Sequence, residues 1–200
     1  FLLLNHHSDR SFLQSKYPQF GDIVVMLSRL EPEKNVPMAL RAFKEILPQH
    51  PGTGFVIVGD GSMKPTLEKM VKQFDIQEKI IFEGWADNPI PYFLSADLFL
   101  NTSNYEGYGR TLMEAAAAEC PIVTTNVGIV GEVLTETNAL VSPPQDFAAF
   151  QKNLEYALRN PQEMKEKAKR AREAVTHYMS YTESDRLIMF KYSWEECSKK

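Results

Sequence analysis

The stretch that most limits how this chain can fold is 104–121, NYEGYGRTLMEAAAAECP. Asp97-Leu-Phe-Leu-Asn101 precedes it and Ile122-Val-Thr-Thr125 follows, both apolar enough for strands buried on two faces. Between them, Glu106-Gly-Tyr-Gly109 reads as a turn in which Gly107 and Gly109 accept positive φ and allow close approach to the backbone. Strong helix formers then run from Arg110 to Ala118. The unit is strand, glycine loop, helix, strand, with the helix opening at the carboxyl end of a strand. Unpaired N–H groups and the positive end of the helix dipole make that place an anion site.

The rest of the chain repeats the alternation. Strands are expected at 23–27, 54–59, 79–82, 97–101, 122–125 and 139–141. Helices are expected near 37–47, 63–74, 90–96, 146–159, 161–178 and 183–198, with a short one around Glu132. Residues 1–20 show no clear period and read as the end of a linker onto which Phe12, Leu13, Tyr17 and Phe20 are tacked. Alternating strands and helices predict an α/β fold, a doubly wound parallel six-stranded Rossmann-like sheet in three αβα layers. Ligands of such sheets bind outside the carboxyl ends of the strands.

At 44% hydrophobic and 24% charged residues, the 200-residue chain has the composition of a globular domain. A net charge of −4 gives no reason to expect nucleic acid as a partner. Cys120 and Cys197 lack metal spacing and read as free thiols of a reducing, cytoplasmic compartment. His6, His7, His50 and His177 are scattered, so no metal site is read. No apolar run approaches the roughly 20 residues of a membrane span. The chain starts mid-run without Met, which suggests a piece of a longer protein.

Two carboxylates are unusually placed. Glu106 lies in the loop ahead of the helix and Glu114 inside it, with seven residues between them. Neither suits anionic phosphate, but both can accept hydrogen bonds from hydroxyls, one of a sugar and one of a ribose. Carboxylates for hydroxyls beside amides for phosphate make the chemistry of a nucleotide-sugar pocket. The alternative is a solvated helix residue and an ordinary turn residue.

Glu106-Gly-Tyr-Gly…Glu114-Ala-x-Ala-x-x-x-Pro-Ile-Val resembles the E-x7-E signature of the retaining, family 4 (group 1) glycosyltransferases. These are GT-B enzymes, in which two Rossmann-like domains face each other across a cleft. The resemblance runs from about Ile23 to about Phe147, and Tyr192-Ser-Trp194 looks like the family's terminal helix. It implies that residues 21–180 are the C-terminal, nucleotide-sugar-binding half of a GT-B fold. Residues 1–20 would then be linker, and 181–200 a helix packing toward an N-terminal domain that carries the acceptor site.

The resemblance also assigns roles. Arg29 and Lys34, in the loop Ser28-Arg-Leu-Glu-Pro-Glu-Lys-Asn35, match an Arg and a Lys that bind the donor's diphosphate. Fixed cations aimed at a departing phosphate favour the transition state over the ground state, as a divalent metal does elsewhere. The bland reading makes Lys34 a solvated loop residue and packs Arg29 on its own stem. Glu106 would orient the transferred sugar and Glu114 hold the ribose. Gly107, Tyr108, Gly109, Arg110, Thr111 and Leu112 would line the donor, with backbone N–H groups from Gly109 to Leu112 on phosphate. Gly84 and Trp85 occupy a loop that touches the base, although an ordinary half-buried Trp fits equally. Gly128 would let backbone approach the ligand. Gly59 is also placed at the donor, in a tight strand-to-helix glycine turn, Gly59-Asp-Gly61, that lacks the third glycine of a dinucleotide fingerprint.

The implied reaction uses no cofactor and no protein nucleophile. The substrate is a UDP-, GDP- or ADP-sugar, and the acceptor hydroxyl attacks the face the phosphate leaves. The intact enzyme can also dock peripherally at the inner face of a membrane. Two other readings stand beside this one: a nucleotide- or sugar-binding module without catalysis, and a GT-B epimerase or phosphorylase. Three departures concern local geometry. Arg110 replaces a common aliphatic residue, and Asn138-Ala139 a common turn. Glu119 stands where a helix-ending glycine is usual, so the helix is expected to end differently.

Overall fold

The computed structural model describes residue 9 and residues 11–180. Residues 181–200, with the expected terminal helix and Tyr192-Ser-Trp194, lie outside the described residues, as do residues 1–8 and 10. Six strands, β1 (Ile23–Leu27), β2 (Gly54–Val58), β3 (Ile80–Gly84), β4 (Leu98–Asn101), β5 (Ile122–Thr125) and β6 (Leu140–Ser142), form one sheet of order β3-β2-β1-β4-β5-β6. Every pairing is parallel. The order reverses between β1 and β4, the place where an open α/β sheet leaves a crevice at its carboxyl edge.

β1, β2, β4 and β5 are buried along their whole length, which explains their unbroken apolar runs. Successive side chains of β1 enter opposite layers. Ile23, Val25 and Leu27 join a core with residues of α1 (Ser11–Lys16), α4 (Ile90–Ser95), α5 (Arg110–Ala117) and α7 (Pro161–Ser180). Val24 and Met26 face α2 (Val36–Ile46), α3 (Lys64–Gln73) and α6 (Phe147–Arg159). Phe43, Phe55, Phe93, Phe99 and Phe150 are fully enclosed, each side chain contributing about 1.5–3 kcal/mol by its removal from water.

Residues 11–16 are helical where no period was visible, because fewer than two turns cannot display one. Leu13, Tyr17 and Phe20 are buried. Lys16 pairs with Glu83 at 2.7 Å, the Tyr92 hydroxyl donates to Glu83 at 3.0 Å, and Phe12 meets Tyr92 edge-on at 5.2 Å. The expected helix around Glu132 is absent. Gly131 takes φ +93°, and the N–H groups of Glu132, Val133 and Leu134 all turn back on the Ile129 carbonyl. One closed turn cannot propagate from a left-handed residue. β3 begins one residue later than expected because Gln77–Lys79 forms a 3-10 turn before it.

α5 does not end differently from its glycine-terminated counterparts. Glu119 adopts φ +58° without being glycine, its N–H donates to Ala116 and that of Cys120 to Ala115 at 3.0 Å. That is the paired bonding of a Schellman end. Arg172 lies 3.8 Å from the Glu119 carboxylate, too loose a contact to offset the backbone strain. Glu119→Gly is therefore expected to stabilise the domain by about 1 kcal/mol in urea unfolding. A loss of stability would show that the Arg172 contact outweighs the backbone term.

Candidate active site at the carboxyl rim

The β1–α2 and β4–α5 loops meet above the point where the strand order reverses. Pro32–Lys34 winds a 3-10 turn that ends on Asn35 in left-handed conformation, φ 47°. This turn is tied to the neighbouring loop by backbone, since Asn104 N–H donates to the Glu33 carbonyl at 2.8 Å. Thr102 adds its hydroxyl, donated to the carbonyls of Lys34 at 2.9 Å and Asn35 at 3.0 Å. The result is a direct contact: Lys34 Nζ donates to Glu106 Oε1 at 2.7 Å, with both side chains only 13–14% exposed. Lys34 is thus no solvated loop lysine.

A buried polar group underlies that pair. Ser103 places its hydroxyl 2.7 Å from Glu106 Oε1 and 2.7 Å from Asn101 Oδ1. Its carbonyl accepts the Thr125 hydroxyl at 2.6 Å. Asn101, Ser103 and Thr125 are all buried, so these polar groups depend on one another for satisfaction. Sequence reasoning passed over them. The only signal was a run of small polar residues, Asn101-Thr-Ser103, that closes an otherwise apolar strand.

α5 starts on Gly109, at φ +78°, and no side chain caps it. Its first N–H groups, those of Arg110 and Thr111, precede any intrahelical acceptor and donate to no backbone acceptor among the described residues. Gly128, at φ +60°, packs against this loop: a Cβ there would lie 2.8 Å from the Tyr108 carbonyl oxygen. The close approach that Gly128 permits in this structure is that of the Tyr108–Gly109 backbone. Within α5, Glu114 is nearly enclosed and accepts from Arg110 Nε at 3.0 Å, while Arg110 itself is 85% exposed. Burial pushes the Glu114 carboxyl above its usual range, and the bond and charge of Arg110 offset only part of that.

Beside α5 lies a cleft of about 360 Å³ whose lining includes Arg29, Gly59, Trp85, Arg110, Thr111 and Glu114. Trp85 is 73% exposed and donates its ring N–H to Asp87, so it is not the half-buried Trp of the bland reading. Gly84, at φ +77°, turns the chain into that loop and receives the Gly59 N–H at 2.7 Å. Gly59 serves protein packing as well: a Cβ there would lie 1.9 Å from the Ser28 carbonyl oxygen. The Ser28 hydroxyl, on the same cleft wall, is buried without a hydrogen-bond partner among the described residues. Arg29 is turned to Glu33 at 2.7 Å and is 65% exposed. Gly107 and Tyr108 stand exposed on the loop, and Leu112 is fully buried with its backbone N–H already donated to the Gly109 carbonyl at 3.0 Å. Lys34 and Glu106 lie outside the cleft lining, at the adjoining loop contact. Among the described residues, no three His, Cys, Asp or Glu side chains are grouped to hold a metal ion. No described helix is long and apolar enough to cross a membrane.

A family model described as "Glycosyl transferases group 1" matches residues 9–175. The chain belongs to the group 1 glycosyltransferases. Among curated members of that family, glycogen synthase of Mycobacterium tuberculosis is 31% identical over 166 residues, covering 81% of this chain and 40% of its own length. The poly(glycerol-phosphate) alpha-glucosyltransferase of Bacillus subtilis is 30% identical over 151 residues, covering 68% of this chain and 22% of its own. The chain thus spans less than half the length of these relatives. Sucrose-phosphate synthase from Thermosynechococcus elongatus superposes with a TM-score of 0.79 over 99% of this chain and 51% of its own, at 22% identity. HepE of Anabaena, in complex with UDP-glucose, gives 0.78 over 98% of this chain and 55% of its own, at 20% identity. These two likenesses show a shared Rossmann-like fold over about half of each neighbour.

Proposed function

We propose that this chain is the donor-binding half of a retaining hexosyltransferase that uses a nucleoside-diphosphate sugar. One observation carries the reading. The uncapped N-terminus of α5 stands between two nearly enclosed carboxylates, Glu106 before it and Glu114 within it. A diphosphate suits the open N–H groups, while each carboxylate takes hydroxyls of the sugar on its own side. Lys34 and Arg29 supply positive charge from the next loop. As the sugar C1–O bond to the diphosphate breaks, its electron pair leaves with the phosphate, and these cations and amides stabilise the growing charge. The acceptor oxygen bonds to C1 on the face being vacated, and its proton passes to the departing phosphate. Glu106 holds the oxocarbenium-like sugar through its hydroxyls and forms no bond to carbon. The acceptor site belongs to an N-terminal domain beyond this chain, the substrate is a UDP-, GDP- or ADP-sugar, and no metal or cofactor takes part. The reaction is cytoplasmic, with the intact enzyme able to sit against a membrane face.

Calorimetry with UDP, GDP and ADP tests the reading directly. One of them binds this chain, and affinity declines as pH falls, because protonated Glu114 loses its charge-assisted acceptance of ribose hydroxyls. Burial raises the proton affinity of Glu114, so the decline begins at higher pH than for an ordinary glutamate, and Glu114→Gln removes it. A folded chain that binds none of the three nucleotides refutes the assignment.

A further inference from the structure

We propose that Ser103 is a positioning residue that fixes the carboxylate plane of Glu106, an inference resting on the sugar-orienting role assigned to Glu106 above. The Ser103 hydroxyl has one proton and two acceptors at 2.7 Å, Glu106 Oε1 and Asn101 Oδ1. Asn101 Oδ1 already receives the Ser103 backbone N–H at 3.1 Å, and Glu106 is the anionic partner. The proton therefore goes to Glu106, where the hydrogen bond is charge-assisted and stronger. The backbone that carries Ser103 is held on both sides, its N–H by Asn101 and its carbonyl by Thr125 at 2.6 Å. It is fully buried, so no water competes for the hydroxyl.

Lys34 Nζ and Ser103 Oγ both reach Oε1, each at 2.7 Å. Two donors from different loops converge on one oxygen, which leaves Oε2 as the oxygen offered to a sugar hydroxyl. Lys34 alone is a point charge on a flexible stem and follows the carboxylate as it rotates. Ser103 belongs to backbone anchored across β4 and β5, and it supplies the angular restraint that the lysine lacks. Such a restraint acts on the step in which the sugar flattens and its hydroxyls shift. It therefore appears in kcat more than in donor KM.

Steady-state kinetics of the intact protein test this, using whichever of UDP-glucose, GDP-mannose and ADP-glucose it turns over. Ser103→Ala is expected to lower kcat about tenfold or more, the worth of a hydrogen bond to a charged group, with donor KM within about twofold. Ser103→Thr, which retains the hydroxyl, recovers most of the loss, and thermal midpoints confirm that both variants are folded. In a Glu106→Gln background, Ser103→Ala has little further effect, because both changes remove the same restraint. If Glu106→Gln leaves kcat intact, the assigned function of Glu106 fails and this inference with it. If Glu106→Gln lowers kcat while folded Ser103→Ala does not, or Ser103→Ala lowers it equally in both backgrounds, the inference alone is overturned.

Discussion

Lys34→Ala in the intact protein is expected to lower kcat/KM by about two to three orders of magnitude if the proposed transfer holds, the ~2.7–4 kcal/mol typical of removing one preorganised group from a developing anion. Two losses coincide in that variant. The proposed departing phosphate would lose a cation, and Glu106, only 14% exposed, is left without its counter-ion in a poorly solvated place. Glu106→Gln separates the two: it spares the cation and removes the charge that holds it, so kcat falls while binding of the free nucleoside diphosphate persists. Arg29→Ala costs less, because its guanidinium is 65% exposed and already turned to Glu33. Unchanged kcat/KM in Lys34→Ala, measured on folded protein, removes Lys34 from the reaction.

Gly59→Ala destabilises the chain by about 3 kcal/mol or more, combining a backbone conformation reserved for glycine with overpacking. At φ +135°, an added Cβ would come within 1.9 Å of the Ser28 carbonyl oxygen. That carbonyl is backbone between β1 and the Arg29 loop, so relief comes only by moving the loop. Equilibrium urea unfolding of the chain measures the loss, which appears as a lower midpoint at unchanged m-value. The proposed nucleotide binding is then expected to weaken through displacement of Ser28 and Arg29 rather than through a lost contact to ligand. A stability equal to that of the unsubstituted chain shows that the two loops are free to separate.

The layered architecture was legible in the sequence because buried parallel strands leave continuous apolar runs. Ile23-Val-Val-Met-Leu27 and Gly54-Phe-Val-Ile-Val58 show this plainly. The central unit was legible too, since Gly109, Glu106 and Glu114 lie within one helix start of each other. Contacts between loops were not. Nothing in the spacing of Lys34 and Glu106 says that the 3-10 turn at Pro32–Lys34 would carry the amine onto the carboxylate. That depends on Thr102 and Asn104 binding backbone carbonyls of the other loop. Glycines misled for a related reason. Gly128 was read as room for a ligand and Gly59 as a tight glycine turn at the donor, but a missing side chain records only that something comes close, and at both positions neighbouring backbone does. Glu119 shows the reverse, where chain geometry imposes a left-handed turn on a residue that disfavours it.

With six parallel strands, the amino-terminal rim of the sheet carries none of the residues proposed to bind or act on the donor. β2 is entered there by a tight turn in which Pro51 and Gly52 are exposed and Gly52 has open space around it. A five-residue strand separates that turn from the functional edge by about 16 Å. A fluorophore or affinity handle grafted at Gly52 would report on the domain, or immobilise it, without touching the chemistry.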